Sequence, residues 1–99
     1  MKLRWTRLAL QDLRHPREYM SEDSPASAGK MVSRIRDAAQ NQKKNPRMGK
    51  EGRLPGTREL ILAKTPYIVV YILEGNEIQI VAVIHSAMRW PDSFPSEDG

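Results

Sequence analysis

The sequence predicts an α+β domain: one strand, a two-helix hairpin, then a three-stranded antiparallel meander, with the helices packed on one face of a small sheet. Three observations lead there. Apolar residues recur at helical spacing from Leu10 to Ala39. β-branched and aromatic residues then crowd into short runs between Arg58 and His85. The strands follow the helices instead of alternating with them, which groups them into one mainly antiparallel layer. A length of 99 residues allows one domain and excludes a TIM barrel or a doubly wound dinucleotide fold. The domain is expected over residues 1–91, followed by a polar tail over 92–99.

Each element has a local reason. Lys2 to Trp5 alternates, with Leu3 and Trp5 on one side, and predicts an opening strand. Thr6 fits a helix N-cap. Leu10, Leu13 and Met20 follow at helical spacing, which extends the first helix from Thr6 to about Glu22, with Pro16 expected to kink or interrupt it. Ser24-Pro25 is a second start, serine as N-cap and proline at the first helical position. Ala28, Met31, Val32, Ile35, Ala38 and Ala39 then form one apolar stripe, and Asn45-Pro46 ends the helix. The two helices should pair antiparallel. Residues 46–57 read as loop. Strands are expected at Arg58–Leu62, Tyr67–Leu73 and Glu77–His85. Gly75-Asn76 reads as a two-residue hairpin turn, and Lys64-Thr65-Pro66 as a tighter connection. In the last strand Ile78, Ile80, Ala82 and Ile84 should face one way, and Gln79, Val81, Val83 and His85 the other. Tyr67 and Tyr71 share a face and are expected in the core. The sequence leaves the strand order open. The tail from Pro91 onward is polar and acidic and is expected to fray.

Composition narrows the chemistry. There is no cysteine, which excludes thiol nucleophiles, disulfides and cysteine-held zinc or iron–sulfur centres. Two histidines, His15 and His85, make a histidine-rich metal site unexpected, so no metal or cofactor is predicted. His15, beside Pro16, reads as structural or exposed. No apolar run reaches the ~18 residues of a membrane span, and the N-terminus lacks a signal-peptide core, so the expected compartment is the cytoplasm, with no membrane partner. The net charge is +4 and is unevenly spread. Ten basic residues between Lys30 and Lys64 face only Asp37, Glu51 and Glu59, whereas the remainder is net acidic. The middle third is thus a candidate surface for a polyanion, with nucleic acid as the natural partner. A solvated helix face with an exposed loop would look the same.

Arg53-Leu54-Pro55-Gly56-Thr57-Arg58-Glu59-Leu60 resembles the loop-to-strand segment of the RelE/ParE toxin superfamily. Tyr67-Ile68-Val69-Val70-Tyr71, the turn at Gly75-Asn76, and Ile80 through His85-Ser86-Ala87-Met88-Arg89-Trp90-Pro91 extend the resemblance. So do the leading strand and the helical pair. The resemblance implies the toxin of a type II toxin–antitoxin module, a growth inhibitor neutralised by a cognate antitoxin that folds around it. Two activities recur on this fold. RelE-like members cut ribosome-bound mRNA without a metal, and ParE-like members inhibit DNA gyrase. The site, not the fold, must choose between them.

Metal-free cleavage needs a group to move protons and cations to hold the phosphorane. His85 matches the terminal histidine of several family members and suits proton transfer near neutral pH. Arg58 and Arg89 are the candidate phosphate clamps, since guanidinium forks match phosphate geometry. These three form the expected catalytic set. Glu59 alternates away from Arg58, and Glu51 is another carboxylate candidate. Lys43, Lys44, Arg47, Lys50, Arg53 and Trp90 are the expected RNA- or partner-binding residues, with Trp90 able to stack on a base. Each has a purely structural reading as well: His85 as a strand-end residue, Arg58 in a local pair, Arg89 on an antitoxin carboxylate, Trp90 in packing.

The leading expectation is therefore an mRNA-cleaving toxin whose partners are the antitoxin, the ribosome and mRNA. The alternative is a gyrase inhibitor without nuclease activity. It is motivated by Leu60-Ile61-Leu62 and Ile68, which stand where RelE nucleases carry basic residues, and by the lack of a tyrosine after His85. An inactive toxin that retains only antitoxin binding is the third reading.

Overall fold

The computed structural model describes residues 2–14, 25–41, 44, 49–87, 89–91 and 93–94. Among the described residues, five strands and two helices follow in order: β1 (Lys2–Trp5), α1 (Arg7–Asp12), α2 (Pro25–Asn41), β2 (Lys50–Glu51), β3 (Arg58–Ile61), β4 (Tyr67–Glu74) and β5 (Glu77–His85). They form the expected α+β arrangement, with one strand more than the sequence predicts. The sheet order is β1-β5-β4-β3-β2. The β3-β4-β5 meander is antiparallel. β1 joins it in parallel beside β5, and the two-residue β2 closes the other edge against β3. β2 sits inside the segment expected to be loop, because two residues carry no periodicity to read.

Thr6 caps α1 as predicted: its Oγ1 accepts from the Ala9 N–H at 3.2 Å. The same hydroxyl donates to the Ile80 carbonyl at 2.9 Å, joining the helix start to the sheet. α1 is shorter than expected. It ends at Asp12 with Leu13 as C-cap, Leu13 N–H bonding back to the Leu10 carbonyl at 3.3 Å. Pro16, Met20, Ser24 and the link between the helices lie outside the described residues. α2 spans Pro25–Asn41; Asn45-Pro46, expected to end it, also lie outside the described residues.

The core has two halves, one on each sheet face. Ala9 and Leu13 of α1 and Val32, Ile35 and Ala39 of α2 pack with Tyr67, Val69, Tyr71, Ile78, Ile80 and Val83. The apolar stripe of α2 therefore faces the sheet as its 3.6-residue spacing requires. On the opposite face, Ile68, Val70, Val81, Ala82 and Ile84 are buried under Leu8, Trp90 and Phe94. Phe94 corrects the frayed-tail expectation at its own position: its ring packs on this second cluster.

The alternation predicted for β5 is also corrected. Val70 pairs with Ala82 but Tyr71 pairs with Ile80, so Val81 is an extra residue in the ladder. A bulge of this kind shifts the two-residue period by one. Ile78, Ile80 and Val83 face the helices, while Val81, Ala82 and Ile84 face away. The turns follow their predicted chemistry. Gly75 takes a φ of 58° between the paired Glu74 and Glu77. In the β3–β4 connection Lys64 carries a φ of 63°. The Thr65 hydroxyl accepts from Tyr67 N–H at 3.1 Å and donates to the Leu62 carbonyl at 3.0 Å.

Candidate functional site

The predicted site residues fall into three separate places. The first is on the helix-facing side of β3. Arg58 pairs across the ladder with Tyr71, and its Nη1 donates to the Gly49 carbonyl at 2.9 Å. Gly49 N–H in turn donates to the Tyr71 hydroxyl at 2.9 Å. Arg58 and Tyr71 thus grip both backbone polar groups of one residue and hold the start of β2. Burial raises the Tyr71 phenol above its ordinary value, offset in part by the Gly49 N–H and the Arg58 charge.

His85 is the second. It pairs with Tyr67, and the two rings meet edge to face with centroids 5.4 Å apart. The Ala87 N–H donates to Nδ1 at 3.0 Å. That bond uses Nδ1 as an acceptor. His85 and Arg58 share a sheet face but oppose Tyr67 and Tyr71, four residues apart on β4. That separates them by about 13 Å along the strands, with two strand spacings across as well. The fold does not bring them to one phosphate.

The third place is on the other face. Glu59 is buried, and its Oε2 accepts from Arg53 N–H at 2.8 Å and lies 3.5 Å from Arg53 Nε. The Arg53 guanidinium lies 3.7 Å from the Trp90 ring centroid. Trp90 packs on the second core cluster, and its buried indole N–H has no acceptor among the described residues. The opposite placement of Arg58 and Glu59 matches the sequence reading. Arg89 is exposed and lines an apolar cleft with Leu8 and Phe94, a lining that does not include His85. Lys44, Lys50 and Glu51 are exposed; Lys43 and Arg47 lie outside the described residues. Sequence reasoning missed Tyr71 and Gly49 as partners of Arg58. A glycine directly before Lys50-Glu51 was the available signal, but a close backbone approach has no mark of its own in one sequence. Among the described residues, no group of three acidic or histidine side chains could hold a metal. No described helix is long and apolar enough to cross a membrane.

Known proteins agree with this architecture. A family model described as the ParE toxin of the type II toxin–antitoxin system parDE matches residues 3–90. The putative toxin Y4kP of Sinorhizobium fredii is 37% identical over 90 residues, covering 91% of this chain and 93% of the relative. Toxin RelE2 of Caulobacter vibrioides is 32% identical over 83 residues, covering 84% and 92%. The solved chromosomal ParDE system of P. aeruginosa contains a chain that superposes with a TM-score of 0.78 at 30% identity, over 86% of this chain and 95% of that one. The YoeB/ParE toxin from Agrobacterium tumefaciens shares the fold at a TM-score of 0.58 and 22% identity, over 84% and 95%. With a family match over residues 3–90 and relatives 37% and 32% identical over most of its length, the chain belongs to the ParE toxin family of type II toxin–antitoxin systems.

Proposed function

We propose that this toxin inhibits growth by binding a protein target, DNA gyrase, in the cytoplasm, and is neutralised by a cognate antitoxin; mRNA cleavage is the reading it displaces. The observation that carries this is the dispersal of the nuclease candidates. Arg58 is bonded to the Gly49 carbonyl, His85 stands about 13 Å away along the strands, and Arg89 lines a different cleft. Cleavage without a metal needs its proton-transfer group and its phosphate clamps within hydrogen-bond reach of one substrate. Binding makes no such demand. The gyrase target itself rests on the resemblance to ParE-like toxins.

Induction without antitoxin, with translation and DNA synthesis pulse-labelled side by side, tests the proposal. Replication should stop while translation continues, and purified toxin should block supercoiling by gyrase. His85→Ala should keep its growth inhibition while remaining folded. Arrested translation with codon-phased mRNA ends, lost in folded His85→Ala, would restore the nuclease reading. Folded protein without any growth effect would indicate an inactive toxin.

A further inference from the structure

Within β5, Ile78-Gln79-Ile80-Val81-Ala82-Val83-Ile84 is mostly β-branched and carries no charge and no proline. A run of this composition pairs with copies of itself when its edge is open. One edge is covered along its length by β4. On the other, β1 covers only the first part: its register ends at Trp5 opposite Ile80. Among the described residues no strand pairs with Val81 to His85 on that side. What stands there is α1. Leu8 packs on the cluster of one sheet face, and Ala9 and Leu13 on that of the other, so the helix straddles the rim of the sheet. Its two ends supply the polar partners that a strand would. The Thr6 N–H and hydroxyl donate to the Ile80 carbonyl at 3.1 and 2.9 Å, and the hydroxyl lies 3.3 Å from the Val81 carbonyl. At the other end, Asp12 Oδ2 accepts the Val83 N–H at 2.9 Å. The Val83 backbone groups therefore point away from β4, and those of His85 point the same way by the two-residue period.

We infer that α1 is a guard on the β5 edge, with the Asp12–Val83 bond as its catch, and that releasing it lets β5 pair antiparallel with β5 of a second copy. A carboxylate suits the catch. It accepts the Val83 N–H without offering an onward donor, and a charge at an edge discourages strand pairing. The occupant follows from the edge itself. An antiparallel pair centred on Val83 exchanges two N–H···O bonds between the Val83 residues and sets Ala82 opposite Ile84, with no like charges facing. A two-fold contact of this kind is closed and self-complementary. The guard is also easy to open. A helix of six residues is too short to be stable alone, so the Thr6 and Asp12 contacts hold α1 as much as α1 covers the strand. The inference stands on the fold and does not depend on the choice of gyrase as target.

The test uses the purified full chain, free of antitoxin, and reads amide hydrogen exchange and sedimentation. Leu10 N–H, bonded to the Thr6 carbonyl at 3.0 Å, reports on α1, and Val83 N–H reports on the edge. In the wild-type protein these two amides should exchange at matching rates, at least about tenfold faster than Val69 in the core, as a locally opening unit does. Asp12→Ala should speed Val83 exchange at least about tenfold at low protein concentration and tighten the dimer dissociation constant at least about tenfold. Raising the concentration of this variant should slow Val83 exchange again, because the second copy then covers the edge. Asp12→Asn, whose side-chain oxygen still accepts, should stay within about threefold of wild type. Asp37→Ala, at an exposed position of α2, should change neither readout. Circular dichroism and thermal unfolding check the fold, and where Asp12→Ala does not fold, the wild-type exchange rates decide. Val83 outlasting Leu10 in the wild type overturns the proposal, because the edge is then not held by α1. Folded Asp12→Ala that associates no more than wild type overturns it as well. So does association that leaves Val83 unprotected, which moves the contact to another surface.

Discussion

Gly49 has a structural reason that its neighbours in sequence do not reveal. A Cβ at this position would stand 2.5 Å from the Tyr71 hydroxyl and 2.9 Å from the Glu59 carbonyl. Gly49→Ala is therefore expected to cost about 1–3 kcal/mol through overpacking, read as a lowered denaturation midpoint at unchanged slope. Tyr71 makes the same contact sensitive to pH. Its folded pKa is raised above the ordinary 10.0. The unfolded chain loses the phenol proton first, so the folded state binds more protons in that window. The stability due to this shift is whole below pH 10.0 and falls as pH rises from there through the folded value. Unfolding followed against pH should show this loss, and Tyr71→Phe should remove the slope. Arg58 was legible as a cation but not as a clamp, because its acceptor is a loop carbonyl nine residues back that no spacing rule predicts.

Thr6 shows an element whose sequence signal and tertiary role coincide. As a cap it satisfies Ala9 N–H, and its hydroxyl and backbone N–H both reach the Ile80 carbonyl. Thr6→Ala should cost about 1–2 kcal/mol, measured by chemical denaturation, with Thr6→Ser keeping most of it. β5 shows the opposite. Its run Ile78 to Ile84 is buried on both faces and Gln79 is its one polar residue, so beyond that point no polar phase marks which way each residue points. The bulge at Val81 is visible only once β4 is beside it. β2 escaped notice for a related reason: two exposed residues become a strand only by pairing with Arg58 and Glu59.

Among the described residues, several arginines of the basic middle third make contacts within the fold. Arg58 turns to the helix side and binds Gly49. Arg53 turns to the other side, over Trp90. Arg34 reaches from α2 to the Ala63 carbonyl, and the Arg36 guanidinium lies 5.8 Å from the Trp5 ring centroid. Several of the charges expected to meet a polyanion are instead holding loops, strands and the C-terminal segment together. That is the molecular reason for favouring a binding toxin over a nuclease. Catalysis needs charges converging on one point, and here Arg58 and Arg53 lie on opposite sheet faces while Arg58 and His85, on one face, stand about 13 Å apart along the strands.

The sequence by itself determined the α+β class, the order of the helices and of four of the five strands, the cap at Thr6, the helix start at Pro25, the Gly75 turn and the toxin family. These are carried by short-range periodicity, turn chemistry and motifs read along one strand of chain. Tertiary structure alone decided the sheet order, the parallel placement of β1, the register shift at Val81 and the separation of Arg58 from His85. Each depends on which distant segments pair, and pairing is set by burying both faces of one sheet at once.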